Sequence, residues 1–283
     1  MIIDAHVHDF TLKIVENVIK KKEMASLLSL ETKQAKERLG IAALKNRMKV
    51  CNIDSALLLP TAPADKVEKV NSDFIRTAGP HENIFTAGTL HPESLDIDGE
   101  LERLAHNKIK AIKLCSFSQG FDLNSVKAFR LFNAIETFNF KNSYSFFIIF
   151  DTFFLAHDFF GTDLKNTTTP VKIKTIVKKY PGINFVAAHM AGLTAPFQQI
   201  KKNIIQYDNL YLDTSNATHT LSKDQFVELL MIHGPERIIF GTDWPWFDFR
   251  KEYKTVEKLA HRAGFSGNQK QMIFGGNIYK LLQ

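Results

Sequence analysis

The chain has 283 residues and a mass of 32.2 kDa, which is long enough for one large α/β domain with a sizeable core. Hydrophobic residues make up 45% of the sequence and charged residues 23%, so the composition excludes a disordered or fibrous chain. The net charge is +6, but the lysines are scattered in small groups on helix-like segments. We therefore expect a solvated basic surface and no nucleic-acid partner.

The most apolar stretch, residues 145–156, is interrupted by Asp151 and is shorter than the roughly 18 to 20 residues that a transmembrane helix needs. The first residues show no basic region followed by an apolar one, so we expect a cytoplasmic protein that does not bind membranes. Cys51 and Cys115 each lie in a strand-like run. This placement favours reduced core thiols over a disulfide bond.

Eight apolar, β-branched runs alternate with amphipathic segments along the chain. The runs lie near residues 2–7, 53–59, 84–90, 111–115, 146–151, 184–189, 210–213 and 237–241. The clearest helix-like segments are residues 65–78, 123–138, 171–180 and 253–263. Strands and helices that alternate in this way are typical of a parallel sheet with helical crossovers. The sequence predicts a (β/α)8 TIM barrel of the α/β class, formed by residues 1–283 as a single domain.

The first βα unit is longer than the others. A Lys- and Leu-rich, helix-like stretch, residues 11–50, separates the first predicted strand from the second. Because it leaves the carboxyl end of the first strand, where barrel enzymes place their chemistry, it is suited to capping an active site. An ordinary helical hairpin on the flank of the barrel is an equally good interpretation.

Two histidines end the first predicted strand. His6 and His8 are two residues apart, so their side chains point to the same side of the strand. Two imidazoles placed in this way are able to share one metal ion. An isolated pair of this kind is more often solvated, so its interpretation depends on which residues end the other strands.

Ionisable residues also end the sixth and eighth predicted strands. His189 closes the run FVAA, and Asp243 follows the run IIFGT. Taken singly, such a histidine is often a packing residue and such an aspartate is often a helix N-cap. Because the carboxyl ends of all eight strands meet at one mouth of a barrel, the set of three imidazoles and one carboxylate instead indicates an active site.

Four segments in this order resemble the amidohydrolase superfamily, specifically the amidohydrolase-2 branch that includes proteins related to aminocarboxymuconate semialdehyde decarboxylase. They are IIDAHVH at residues 2–8, INFVAAHMAG at 183–192, RIIFGTDWPW at 237–246 and IFGGNIYKLL at 273–282. The resemblance implies that His6, His8 and Asp243 bind one divalent metal ion, most often Zn²⁺. It also implies that Asp243 acts as a general base and that His189 polarises the substrate or transfers a proton. Members of this branch are often dimers, so a homodimer is compatible with the resemblance.

The sequence departs from the family pattern at the fifth predicted strand, where the family usually places a histidine ligand. Asp151 occupies this position. A carboxylate is able to replace the imidazole, and it shifts the preference modestly from Zn²⁺ towards harder ions such as Mn²⁺ or Mg²⁺. We therefore expect Asp151 to be a metal ligand. Two alternatives stay open: His157 replaces it from the following loop, or this strand contributes no ligand.

Three further residues are candidates for contact with the substrate. Lys113 ends the fourth predicted strand and is placed to bind an anion or a carboxylate, although a structural role is comparably frequent. His91 ends the third strand, and Trp244 follows the eighth and is suited to wall a pocket for a planar substrate, as is Trp246. Packing roles are equally common for residues of these types.

The leading hypothesis for function is a metal-dependent hydrolase that attacks a lactone, ester or amide carbonyl of a small molecule through a metal-bound hydroxide. In this interpretation Asp243 takes the proton of water, and His189 with Lys113 stabilises the oxyanion. A second hypothesis is a non-oxidative, metal-dependent decarboxylase of an aromatic or enol acid. A third is a catalytically impaired barrel that serves as a binding protein.

Overall fold

The computed structural model describes residues 1–283, and its central feature is a ring of parallel strands. The strand segments are β1 (Ile3–Val7), β2 (Ser55–Leu58), β3 (Ile84–Thr86), β4 (Gly88–Thr89), β5 (Ala111–Leu114), β6 (Phe147–Phe150), β7 (Phe185–Ala187), β8 (Leu210–Asp213) and β9 (Ile238–Ile239). Only Ala87 separates β3 from β4, and the two segments together form the third predicted strand. The fifth, sixth, seventh and eighth predicted strands are therefore β6, β7, β8 and β9.

The strands close into a barrel. Neighbouring strands pair in parallel in the order β1-β2-β3 and β4-β5-β6-β7-β8-β9. The ring closes between its two ends, because the backbone N–H of Ala5 donates to the carbonyl of Phe240 at 2.9 Å and Val7 forms a parallel bridge with Trp244. The prediction of a (β/α)8 barrel is confirmed.

Helices cover the outside of the ring. The α-helices are α1 (Leu12–Lys20), α2 (Lys22–Leu27), α3 (Thr32–Ala35), α4 (Gly40–Cys51), α5 (Val67–Ala78), α6 (Ile97–His106), α7 (Ser116–Gln119), α8 (Val126–Asn142), α9 (Ala156–Phe160), α10 (Pro170–Lys179), α11 (Phe197–Asn203), α12 (Ala217–Thr220), α13 (Lys223–His233), α14 (Phe249–Arg262), α15 (Gly267–Gln271) and α16 (Asn277–Leu282). The four segments with the clearest helical pattern correspond to α5, α8, α10 and α14. None of the helices is long and apolar enough to cross a membrane.

Side chains of each strand alternate between the barrel interior and the helical layer. On β6, Phe147 and Ile149 belong to the interior cluster, whereas Ile148 and Phe150 pack in the larger cluster beneath the helices. This alternation explains why the strand reads as a continuous apolar run, since both of its faces are buried. Side chains of α16 pack with the interior cluster, which also contains Ile3 at the start of β1.

The long first unit combines both arrangements that its sequence suggested. Side chains of α1 and α2 reach over the carboxyl ends of the strands, where Met24 and Leu28 pack against Phe153. Helix α4 instead packs on the flank of the barrel, with Leu44 in a cluster that contains Val7. Residues 12–27 therefore form a cap, and residues 40–51 form an outer helix.

Candidate active site

His6 on β1 and His8, directly after this strand, turn the same ring nitrogen towards each other. The Nδ1 atom of His6 lies 2.8 Å from Oδ2 of Asp213, and the Nδ1 atom of His8 lies 3.3 Å from the carbonyl oxygen of Leu59. Because both acceptors need a proton on Nδ1, each Nε2 keeps its lone pair when the ring is neutral. The two Nε2 atoms are only 3.1 Å apart. Two lone pairs that converge in this way suit a shared cation.

Asp243 completes this donor set. Its Oδ1 lies 3.4 Å from Nε2 of His8 and 3.8 Å from Nε2 of His6. Ligand atoms around a tetrahedral ion with bonds of about 2.1 Å are roughly 3.4 Å apart. The three observed separations lie on both sides of this value. The donor set therefore fits one divalent metal ion, and the sequence-based ligands His6, His8 and Asp243 are brought together.

Asp151 and His189 lie beside this set. Together with His6 they form a second group whose potential ligand atoms all lie within 4.8 Å of one another. Oδ2 of Asp151 is 3.8 Å from Nε2 of His189 and 3.7 Å from Nζ of Lys113. The structure thus places Asp151 where it is able to bind a metal ion and also where it pairs with two cationic groups.

Asp213, at the end of β8, is a site residue that the sequence analysis did not identify. Besides its contact with His6, its carboxylate accepts hydrogen bonds from the backbone N–H groups of His189 and Ser215. The Ser215 hydroxyl also donates to it. Asp213 therefore fixes the ring of His6 and the start of the loop that carries His189. The sequence did contain a signal for this residue. Asp213 ends the apolar run LYLD, just as Asp243 follows the run IIFGT.

Burial and close pairing set the ionisation of the metal-free site. Burial, followed by the charge of Lys113, lowers the pKa of His6 to about 4. Burial also lowers the pKa of His189, but the hydrogen bond and the charge of Asp151 outweigh it and raise that pKa to about 9. Burial by itself would raise the pKa of Asp151, but the nearby Lys113 and His189 hold this pKa well below the usual range. The group thus favours an anionic Asp151 between cationic neighbours.

The pKa values of two further carboxyl groups are lowered. Burial would raise the pKa of Asp243, but its hydrogen bond with His8 and the nearby charges of His189 and His6 keep it below the usual value. Burial is likewise outweighed at Asp213, mainly by the charge of His6 and its hydrogen bond. Both carboxylates are therefore available as anions, one facing the metal position and one behind it.

Three residues of the site adopt positive φ angles that side chains other than glycine seldom adopt. The φ angles are 55° at His189, 54° at Asn216 and 66° at Asp243. Each residue follows closely after the end of a strand. Such strain persists only where the surrounding structure holds it, and it is common where side chains are aimed at a functional site.

A pocket opens above the candidate ligands. It contains about 830 Å³ of empty space, including its open mouth, and 12 of its 20 lining residues are hydrophobic. The polar lining residues are His8, Thr61, Lys113, Ser118, Asp151, His189, Asn216 and Asp243. The apolar wall includes Ile14 and Val18 of the cap and Trp246 after β9. The pocket therefore has an ionic floor and an apolar wall.

Besides the fully buried His6, three of the sequence-based candidates lie outside this pocket lining. Both ring nitrogens of His91 are bonded, Nε2 to the carbonyl of Gln119 at 3.0 Å and Nδ1 to the N–H of Glu93 at 3.1 Å. Trp244 is buried and stacks on Phe249 at 4.8 Å. His157 lies on α9 with its Nε2 3.1 Å from Asp158. Trp246, rather than Trp244, forms part of the wall.

Comparison with known proteins agrees with this architecture. The amidohydrolase family model (Amidohydro_2) matches residues 79–283, which is more than half of the chain. His6 and His8 precede the matched region. A search of curated proteins by sequence found no match.

Solved structures resemble the chain over almost its whole length. An uncharacterized TIM-barrel protein from Bordetella bronchiseptica has 17% identity and a TM-score of 0.74, with 99% of this chain and 98% of that chain covered. A 5-carboxyvanillate decarboxylase from Sphingomonas paucimobilis has 14% identity and a TM-score of 0.66, with the same coverage.

A dihydroxybenzoic acid decarboxylase from Polaromonas sp. JS666, solved with manganese and the inhibitor 2-nitroresorcinol, has 15% identity and a TM-score of 0.70. The comparison covers 99% of this chain and 96% of that chain. At such identities the likeness shows a common fold, and the family model shows membership. The chain is an enzyme that belongs to the amidohydrolase family.

Proposed function

We propose that the enzyme is a metal-dependent, non-oxidative decarboxylase of an aromatic or enol acid. The observation that carries this proposal is the environment of Lys113. Its side chain is fully buried, its Nζ atom has no hydrogen-bond partner, and it lines the pocket. A buried ammonium group without a partner is costly, so an anionic group of the substrate is the natural ligand.

The carboxylate of Asp151 does not remove this preference for an anion. Its Oδ2 is 3.7 Å from Nζ, beyond hydrogen-bonding distance, and it is shared with His189. A substrate carboxylate is able to approach Nζ from the open pocket. The apolar wall, which includes Phe10, Phe117 and Trp246, suits a flat hydrocarbon body attached to that carboxylate.

The comparisons give independent support. Five of the structures with the same fold are 5-carboxyvanillate or dihydroxybenzoate decarboxylases, and three of them were solved with manganese and a nitro-substituted aromatic ligand. Those ligands belong to those proteins. They are flat rings with acidic groups, and the pocket of this chain is suited to molecules of that type.

We assign the metal position to His6, His8 and Asp243, with Asp151 as a further ligand. When bound, the ion supplies a positive charge that orients the substrate oxygens and withdraws electrons from the reacting carbon. Zinc stays a prediction, and the carboxylate ligands make Mn²⁺ an equally suitable ion.

Side chains of the protein carry out the remaining steps. Lys113 binds and orients the carboxylate, and the apolar wall excludes water from the reacting carbon. The bond between this carbon and the carboxylate breaks, CO₂ leaves, and the electron pair stays on the carbon. We assign delivery of the replacing proton to His189, whose side chain lines the pocket and whose raised pKa of about 9 keeps it protonated at neutral pH. The substrate carboxylate and one proton thus become the decarboxylated product and CO₂.

Hydrolysis of a lactone, ester or amide is the second candidate. It is favoured by the low pKa of Asp243, which leaves a carboxylate beside the metal position to accept a proton from water. The two reactions differ in the fate of solvent atoms. Decarboxylation places solvent hydrogen on carbon, whereas hydrolysis places solvent oxygen in the product.

The test uses protein loaded in turn with Mn²⁺ and Zn²⁺ and a panel of hydroxybenzoic acids, enol acids, lactones and esters. We expect CO₂ release and, in D₂O, deuterium on the product carbon. Lys113→Met should raise KM by tenfold or more, whereas replacement of the exposed Lys141 by Met should not. Label from H₂¹⁸O in the product carboxylate of a lactone or ester, without CO₂ release from any acid, would replace decarboxylation by hydrolysis.

A further inference from the structure

A second unpartnered polar side chain lies in the pocket. Asn216 is completely buried, and neither its Nδ2 nor its Oδ1 atom has a hydrogen-bond partner. The residue lines the same pocket as Lys113 and His189. Buried amides nearly always form hydrogen bonds, because an unpaired buried amide has lost its hydrogen bonds with water and gained none in the protein.

The backbone explains part of the choice of residue at this position but not the burial of the amide. Asn216 adopts φ 54° and ψ −16° just before α12, and asparagine tolerates this left-handed region better than most residues. Glycine would satisfy the backbone equally well. The amide therefore adds two unsatisfied polar groups to the pocket that the local backbone does not require.

We infer that Asn216 is a specificity-determining residue that binds a neutral substituent able both to donate and to accept a hydrogen bond, such as a hydroxyl group of the substrate. The inference rests on the proposed function for the carboxylate and extends it to the rest of the molecule. Lys113 offers only donors and suits the carboxylate, whereas the amide offers a donor and an acceptor. A hydroxyl group matches the amide because it is able to bond with both ends.

A site of this kind discriminates strongly against a ligand without the hydroxyl group. Such a ligand would leave both amide groups buried and unpaired after it has excluded water from the pocket. We therefore expect at least one hydroxybenzoate isomer to bind tenfold or more tightly than benzoate. We expect the same order for two neutral probes, with phenol binding more tightly than toluene.

The experiment measures dissociation constants by titration calorimetry on the metal-loaded enzyme, with benzoate, the three hydroxybenzoates, phenol and toluene. Asn216→Gly keeps the backbone conformation and removes the amide, so it should abolish the preference for hydroxylated probes, because these probes lose their partner and benzoate no longer leaves an amide unpaired. Asn52→Gly is the matched control. Asn52 also has a positive φ, 57°, but is exposed and lies outside the pocket, so this variant should keep the preference.

A second variant keeps the inference testable if Asn216→Gly does not fold. Asn216→Ala removes both the donor and the acceptor, so the preference for phenol over toluene should fall by severalfold. Equal binding of hydroxylated and unsubstituted probes by the wild-type enzyme would overturn the inference, as would a preference unchanged in the folded Asn216 variants. If no benzoate binds but phenol is still preferred through Asn216, the inference stands and the proposed decarboxylase function falls.

Discussion

Gly241 lies where the chain after β9 passes the side chain of His6. A Cβ atom at position 241 would be only 2.7 Å from Cβ of His6 and 3.4 Å from Cβ of Ser215. Cβ atoms do not approach so closely, so one of the two segments must move if a methyl group is added. The position of the His6 ring, and with it the distance to His8, therefore depends on the absence of a side chain at residue 241.

We expect Gly241→Ala to weaken Mn²⁺ and Zn²⁺ binding by tenfold or more while the barrel still folds, because His6 is displaced from the donor set. Metal titration of the chelator-treated protein, with circular dichroism as a check of folding, measures this effect. Gly267→Ala is the control, since a methyl group there meets no atom within 4 Å. Equal metal affinity in both variants would show that the site tolerates the shift of His6.

Asp151 has two sets of neighbours, and substitution separates its two roles. If it binds the metal ion, Asp151→Asn should weaken metal affinity sharply, because a neutral amide replaces an anionic ligand. Asp151→His should then increase the preference for Zn²⁺ over Mn²⁺. Competition between the two ions, followed by elemental analysis, gives the measurement. His157→Ala should leave affinity unchanged, and unchanged affinity in Asp151→Asn would reduce Asp151 to a partner of Lys113 and His189.

At the scale of elements, the cap is attached to the barrel by a small apolar cluster. Leu28, just after α2, is 5% exposed and packs with Met24, Phe153 and Leu193. Nearby, the Lys21 ammonium group donates to the carbonyl of Phe159 at 2.5 Å. The cap thus contacts the loops after β6 and β7, and these loops also carry pocket residues. Its packing and the shape of the pocket are therefore coupled.

Shortening Leu28 should loosen the cap more than the barrel. We expect Leu28→Ala to lower the free energy of unfolding by about 2 kcal/mol or more through the cavity it leaves. Amide hydrogen exchange in residues 22–28 should become faster, while the amides of β6 stay protected. Urea denaturation and hydrogen-exchange mass spectrometry test both parts. Leu27→Ala, at the last residue of α2, is the control, since Leu27 is 44% exposed. Equal effects of the two changes would contradict the anchoring role of Leu28.

At the scale of the whole molecule, a histidine outside the candidate metal site couples stability to pH. His233, at the end of α13, is fully buried, and its Nε2 lies 3.1 Å from the carbonyl oxygen of Ile204. Burial lowers its pKa from 6.5 to about 4, despite this hydrogen bond. Between these two values the unfolded chain binds a proton that the folded chain does not, so acidification favours unfolding.

His233→Gln should therefore reduce the loss of stability on acidification. The wild-type protein should lose about 1.4 kcal/mol per pH unit from this residue as the pH falls from 6.5 towards 4, and the variant should not. Urea denaturation of the chelator-treated protein at several pH values measures the two slopes. His261→Gln, at an exposed position of α14, should keep the wild-type slope. Parallel slopes for wild type and His233→Gln would contradict the prediction.

The sequence by itself determined the barrel, because each buried parallel strand is apolar on both faces and each crossover helix carries one apolar stripe. These patterns are local, and they located all eight strands and the helices α5, α8, α10 and α14. Once the strands are located, the residues that end them are located too. In a closed barrel His6, His8, His189 and Asp243 must meet at one mouth, and the structure brings them together.

Only the tertiary structure decided which neighbouring side chains face that mouth. His91 also ends a strand, but its two ring nitrogens form hydrogen bonds with backbone groups, and the residue does not line the pocket. Trp244 turns to the flank and Trp246 to the pocket, a difference that depends on the local course of the chain. Asp213 and Asn216 acquire their roles through contacts, or missing contacts, with residues distant in sequence. Such relations depend on three-dimensional packing, which periodicity and spacing along one chain do not specify.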